Sequence, residues 1–297
     1  MMALQKALLP FSHIFDHQRV HNLFADHRGA TIAAVGLAII APLAVRDYLT
    51  FLSYGPGGLP YNVVGWLVSN AMRIVSREQL STQLYDNKCA DSPSGTVYLP
   101  PDFPPRRKTL RPQFGPHPVP QRQVSQLPDP KIRQQFIAQF EDLGKATKEQ
   151  GLVDIRPSLY ERRHSALFVS KTRDWHHIAQ ETRGEIAHVH GGLDGSIHVT
   201  LHPEDCKKVI EREWGQRHGL SGVQVLRRIV GFSLPVNYIL VYAPRDEAEI
   251  EIALTIVRAS IRFLDDLIWH SQATSQTVGL CGVVRECNRL HNGGWSG

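Results

Sequence analysis

The sequence predicts an α+β fold: a small, mainly antiparallel sheet with helices packed on one side, preceded by an N-terminal membrane-anchor helix. Short runs of strand-like alternation crowd the stretch after Gly151, two longer runs with helical spacing interrupt and close them, and one uncharged run of 17 residues, Gly29 to Val45, stands apart near the start. With 297 residues, 42% of them hydrophobic and 21% charged, the chain can bury a sizeable core. The 33 Lys and Arg exceed the 28 Asp and Glu by five, but they are scattered rather than gathered into a basic run. No nucleic-acid partner is expected from such a distribution.

Residues 1–28 read as a polar N-terminal segment and 29–45 as a transmembrane anchor, bracketed by Asp26, His27 and Arg28 on one side and Arg46 and Asp47 on the other. The apolar run begins too late for a signal peptide, and no small-residue cleavage site precedes Arg46. A single-pass protein of the endoplasmic reticulum, touching lipid through residues 29–45, is the expectation. Residues 46–88 read as a helical region in which Gly55-Pro56-Gly57-Gly58 breaks the chain. Val63 to Leu84 then has the spacing of a helix, with Val64, Leu67, Ala71, Ile74 and Val75 along one side, facing a membrane or a core.

From Asp91 to Pro130, 11 of 40 residues are proline, so the segment 89–130 must be extended or irregular. The charges it carries, among them Arg106, Arg107, Lys108, Arg111 and Arg122, read as solvated linker charge. Asp129-Pro130 opens the next helix, with Ile132, Phe136, Ile137, Phe140 and Leu143 as its apolar face. Within the α+β region 131–266, strands are predicted at Ser165–Ser170, Glu185–His190, Ser196–Leu201 and Asn237–Tyr242. Helices are predicted at Pro203–Trp214 and Asp246–Leu264. The tail 267–297 has weak periodicity and is expected to be disordered or loosely docked. The four cysteines, Cys89, Cys206, Cys281 and Cys287, are too unevenly spaced for a disulfide framework, although a Cys281–Cys287 bridge and free thiols both fit.

In Glu185-Ile186-Ala187-His188-Val189-His190, alternation puts His188 and His190 on one face of a strand and turns Glu185 to the other, unless the strand starts after Glu185. Across the Gly191 to Gly195 turn, His198 alternates against Ile197, Val199 and Leu201 and can join the two imidazoles. Three imidazoles together can exchange protons near neutral pH or bind a divalent metal, and both alternatives are open at this stage. Trp214-Gly215-Gln216-Arg217-His218 adds an indole, a fixed charge and a further imidazole at what reads as a helix end, where cations also suit the helix dipole. No dinucleotide loop, phosphate-binding loop or Gly-x-Ser-x-Gly elbow is present.

Arg46-Asp47-Tyr48-Leu49-Thr50-Phe51-Leu52 with Gly55-Pro56, then Glu185 to His190, Ser196-Ile197-His198, Trp214 to His218 and Tyr242-Ala243-Pro244-Arg245 resemble the successive blocks of the fungal luciferase family. Arg111-Pro112 and Gln121-Arg122 give a weaker match inside the Pro-rich segment, which implies that this stretch belongs to the catalytic unit and wraps the domain rather than serving only as a linker. The resemblance implies oxidation of a hydroxylated α-pyrone of the 3-hydroxyhispidin type, or a related polyphenol or polyketide, by dioxygen as co-substrate with loss of carbon dioxide. It implies no organic cofactor, and leaves a divalent metal on His188, His190 and His198 open. It makes Glu185, His188, His190, His198, Arg217 and His218 the catalytic candidates, with His188 or His190 as base and Arg217 opposite developing charge. Trp214, Gln216, Tyr242, Arg245 and Arg111 become the substrate-binding candidates. The Gly191–Gly195 turn and the basic stretch Val223 to Pro235 depart from the family pattern, which favours a related tailoring enzyme over a light emitter. A metal-dependent hydrolase or cyclase and a non-catalytic ligand-binding module are the competing readings.

Overall fold

The computed structural model describes residues 27–86 and 97–265, apart from 163, 174, 176, 193, 226–227 and 229–232. The expectations for residues 1–26, for a Cys281–Cys287 bridge and for the tail 267–297 fall outside the described residues; Cys206 is a buried free thiol. The chain divides into two units, Met1–Ser53 and Tyr54–Gly297.

In the first unit, helix α1 (Arg28–Ser53) has 26 residues and is long and apolar enough to cross a membrane. It runs past the predicted limit at Val45, because Arg46 and Asp47 end the apolar run without breaking the helix.

The second unit opens with α2 (Val63–Val75), whose N-terminus is capped by Asn62, the side chain accepting from Val64 N at 3.0 Å and Gly65 N at 3.2 Å. The helix ends nine residues before the predicted Leu84. Ser76 turns extended, Arg77 N then donates to Gly219 O at 2.8 Å, and Gln79 O accepts from Arg217 N at 2.8 Å, so partners in the sheet domain take the chain away from the helix. The remaining elements are α3 (Pro130–Glu149), β1 (Val153–Pro157), β2 (Ser165–Val169), α4 (His177–Glu181), β3 (Glu185–Val189), β4 (Ile197–Thr200), α5 (Pro203–Glu211), β5 (Gly215–Arg217) and β6 (Tyr238–Val241). A closing helix, α6, is described over residues 247–265.

The six strands form one open antiparallel sheet in the order β1-β2-β3-β4-β6-β5. Its register fixes two faces. Leu167, Ala187, Val199 and Ile239 are cross-strand partners on one face, and this face packs with Phe136 and Phe140 of α3, Val209 and Ile210 of α5 and Leu254 and Val257 of α6 into the main core. On the other face Ala166, His188, His198 and Leu240 are successive partners. Helices cover the first face; the Pro-rich segment contributes to covering the second.

That segment is not a solvated linker. Its Gln113–Val124 stretch folds into a hairpin, Gly115 N donating to Arg122 O at 3.0 Å and Val124 N to Gln113 O at 2.8 Å. Gln123 N donates to Asp194 Oδ2 at 2.7 Å, and Tyr98 N and Leu99 N donate to Asp205. Two of the arginines read as linker charge are interior: Arg107 is 4% exposed and Arg122 2%. Proline limits the segment's own ladder to that short hairpin, so other backbone and charged groups find partners in the domain it wraps.

The predicted helix Pro203–Trp214 stops at Glu211, and Glu213 takes a positive φ of 67°. Gly215-Gln216-Arg217 is therefore an edge strand rather than a helix end, and the dipole account of its cations falls away.

Candidate functional site

His188 and His190 are two residues apart on and just after β3, and His198 is the direct cross-strand partner of His188. All three are buried, with ring centroids 5.4 Å (His188–His190), 5.2 Å (His188–His198) and 4.9 Å (His190–His198) apart. His218 follows β5 and stands 5.3 Å from His198, and Tyr238 stacks on His198 at 4.8 Å and 12°. Small sheet geometry explains the convergence: direct partners and next-but-one neighbours share a face.

Glu185 joins them against the simple alternation. The β2–β3 ladder shifts register so that Glu185, not Ile186, lies opposite Phe168, and Ile186 and Ala187 both enter the helix-side core. This bulge returns Glu185 to the histidine face, with Oε1 2.6 Å from His188 Nδ1. The approach lies off the N–H axis, so neither nitrogen of His188 makes a hydrogen bond, while Glu185 accepts from Ser158 Oγ and Leu159 N, each at 2.8 Å.

His190 is held more tightly. Its Nδ1 lies 2.9 Å from Ser196 Oγ and 3.3 Å from Asp194 Oδ1, and its Nε2 is 3.5 Å from Glu161 Oε1. Glu161 is paired with Arg122 through two contacts of 2.8 Å, and Arg122 also donates to the carbonyls of Tyr54 at 3.2 Å and Pro56 at 3.3 Å. Asp194, Glu161 and Arg122 are the partners that sequence reasoning missed as site residues. Asp194 sits in a Gly-rich turn, where an Asp has a local explanation. Glu161 lies in a loop without periodicity, and Arg122 among prolines.

The electrostatics favour neutral imidazoles. Burial lowers His190, and Arg122 adds to the effect; burial also pushes His198 well below its usual range, helped by His190 and His188. His218 is lowered to about 3 by burial and by His190 and His188, with its hydrogen bond to the Pro118 carbonyl opposing; its Nδ1 accepts from Leu220 N at 3.0 Å. Burial would raise Asp194 and Glu161, yet His190 and the Arg122 charge hold both carboxyls below the usual range.

The four imidazoles line one end of a cavity of about 190 Å³ whose other walls include Leu59, Met72, Val119, Leu220 and Leu234. One polar end and apolar walls suit a flat, mostly apolar molecule with one ionisable group. His188, His190 and His198 each offer one ligand atom, all within 4.8 Å of one another, as a metal site would require.

The other sequence candidates stand elsewhere. Arg217 is the cross-strand partner of Ile239 and so shares the helix-side face; its Nη2 donates to Glu78 O. Trp214 is buried in the main core, its Nε1 donating to Pro105 O at 2.5 Å. Gln216 bonds Gln79, which also holds the cavity residue Gln121, and Gln216 Oε1 accepts from Tyr242 at 3.2 Å. Arg111 donates to Tyr242 Oη at 3.1 Å and to Gly215 O at 2.9 Å, and Arg245 pairs with Glu249. Arg111, Tyr242 and Gln216 brace the β5 edge, and none of these residues lines the histidine cavity.

A six-stranded sheet with four buried imidazoles lining a largely apolar cavity defines an α+β protein with one histidine-rich candidate site. Residues 183–260 match the Luciferase domain family model, a span running from β3 into α6 and including all four imidazoles. The chain is 31% identical over 263 residues to a luciferase of Armillaria gallica, covering 82% of this chain and 92% of that protein. It is 32% identical over 244 residues to a luciferase of Armillaria ostoyae (78% and 85% covered) and 30% identical over 235 residues to one of Neonothopanus nambi (76% and 83%). The chain belongs to the fungal luciferase family. No solved structure matches it.

Proposed function

We propose that this chain is an oxygenase anchored by α1 in the endoplasmic reticulum membrane, which oxidises a hydroxylated α-pyrone or related polyphenol with dioxygen. One observation carries the reading: Asp194 and Ser196 hold His190 through Nδ1, leaving Nε2 toward Glu161 at the polar end of the cavity. A neutral imidazole fixed in this way presents a lone pair to a substrate hydroxyl, the arrangement expected of a general base. The hydroxyl proton passes to Nε2, and Asp194 and Glu161 offset the imidazolium charge. The electron-rich enolate left behind reduces dioxygen; the resulting peroxide closes on the lactone carbonyl and carbon dioxide leaves. Apolar walls keep water from the intermediate.

Incubation with hydroxypyrones under isotopically labelled dioxygen, followed by mass spectrometry, tests the reading. Label in the product is expected, with His190→Ala losing roughly a hundredfold or more in rate and Asp194→Asn following it. Replacing His177, which starts α4 and does not line the cavity, should leave turnover intact. Conversion without label, or full activity in His190→Ala, overturns it. Luminometry on the same reaction reads light emission directly.

The convergence of His188, His190 and His198 supports a second reading, a metal-dependent hydrolase or cyclase. His198 Nδ1 and both nitrogens of His188 make no hydrogen bond, and Asp194, 3.3 Å from His190 Nδ1, would orient that imidazole if it held a metal. This reading requires stoichiometric metal by elemental analysis, turnover without dioxygen, and loss of activity in chelator.

A further inference from the structure

Helix α2 buries the opposite side from the one a core helix would bury. Its buried residues are Gly65 and Ser69. Ser69 Oγ donates to Val119 O at 2.6 Å, and Pro60 O lies 1.9 Å from where a Cβ on Gly65 would be, so the helix docks through its smallest side chains. The apolar ones point outward: Ile74 is 86% exposed, Val64 56%, Leu67 55% and Val68 37%. With Ala71, also exposed, they fall at the three- and four-residue intervals that stack along one side of a helix. Exposed Arg73 and Arg77 lie at its C-terminal end.

We infer that α2 lies in the plane of a bilayer surface, its Val64, Leu67, Val68, Ala71 and Ile74 side among the acyl chains and Arg73 and Arg77 among anionic headgroups. Thirteen residues make a helix of about 20 Å, too short to span a hydrocarbon core of about 30 Å but ample for an interfacial position. The occupant is lipid rather than a second copy because of chain connectivity: nine residues, 54–62, separate α2 from the end of α1, a tether of at most about 30 Å. In this respect the inference rests on α1 being the anchor. Long basic side chains beside an apolar stripe also match a headgroup boundary. On the inner side of the same helix Met72 forms part of the cavity wall, which places the cavity about one helix diameter from lipid. A substrate that partitions into the membrane, such as an apolar polyketide, is then concentrated at the cavity.

The test uses the full chain with Cys89, Cys281 and Cys287 replaced by Ser and buried Cys206 retained. An environment-sensitive fluorophore is placed singly at Leu67→Cys, Ile74→Cys, Leu37→Cys in α1 and Lys145→Cys on the exposed side of α3, in vesicles containing anionic and acyl-brominated lipids. Probes at 67 and 74 should be blue-shifted relative to 145 and quenched by bromine to at least half the extent seen at 37. Quenching at 37 with none at 67 and 74 overturns the inference while keeping the anchor; absence of quenching at all positions removes the anchor and the inference together. Blue-shifted probes at 67 and 74 that bromine does not quench would mean protein covers the face, which also overturns it.

Discussion

Replacing Arg122 with Met should cost the fold more than any other single change at the site. The guanidinium makes two 2.8 Å contacts to Glu161 and donates to the Tyr54 and Pro56 carbonyls, and the side chains of the pair are 2% and 9% exposed. Removing one partner of a buried pair costs about 3–5 kcal/mol, since the remaining carboxylate is buried without compensation. The two abandoned carbonyls add about 1 kcal/mol each when they find no other donor. A loss of about 5–7 kcal/mol corresponds to about 10–28 °C in melting temperature for a domain of this size. Intrinsic tryptophan fluorescence of the full chain in detergent, followed through a thermal ramp, reads it. The double variant Arg122→Met/Glu161→Leu should recover at least half the loss, because it removes the orphaned charge. A single variant melting within 2 °C of the parent, or a double variant no better than the single, would refute the argument.

Arg107 makes the opposite case: none of its guanidinium nitrogens is hydrogen-bonded, it lies over the Trp214 and Tyr242 rings at 5.7 and 5.3 Å, and burial lowers its pKa. Arg107→Met should stay within about 1 kcal/mol of the parent, since lost cation–π attraction offsets relieved desolvation; a melting loss equal to that of Arg122→Met would contradict this. Acid should destabilise the chain from pH 7 downward, because His190, His198 and His218 titrate lower when folded, so the unfolded chain takes up protons first. Their stabilisation is complete above the unfolded value of 6.5 and lost as pH falls through the folded values; with His218 at about 3, that residue alone loses about 2 kcal/mol between pH 8 and 5. A urea midpoint that holds or rises over that interval would refute it. Arg217→Gln should lower melting temperature yet leave turnover per folded molecule unchanged, since Arg217 lies on the helix-side face; a selective fall in kcat would return it to the chemistry.

The fold was legible wherever a single period governed the burial pattern. Four strands and the helices α3 and α6 appear within a few residues of the predicted limits, and Asp129-Pro130 opens α3 with proline in the first turn. The errors occur where tertiary partners override local pattern. Residues 76–82 leave the helix because Arg77 and Gln79 pair with the backbone of Gly219 and Arg217, and helical backbone resumes only at 83–86. β5 has only three residues, one of them glycine, and is a strand because β6 offers it an edge. β1 was missed because its alternation is brief and its burial mostly partial.

The site divides along the same line. His188, His190 and His198 could be read from alternation and a tight turn, because cross-strand geometry is a property of two short segments. Glu185 could not, since the bulge that turns it to the same face depends on how Ile186 and Ala187 pack against the helices. The matched block Trp214 to His218 shows why block resemblance does not locate a side chain. In a strand its residues must alternate, so His218 enters the cavity while Arg217 faces the other way. The charged partners of His190 come from three separated places: Asp194 from the turn, Glu161 from a loop and Arg122 from the Pro-rich wrap. That wrap completes the cavity electrostatically, because without Arg122 the Glu161 carboxyl would sit buried beside His190 with no compensating charge. The surroundings of His190, the proposed base, therefore depend on a segment whose composition alone suggests a linker.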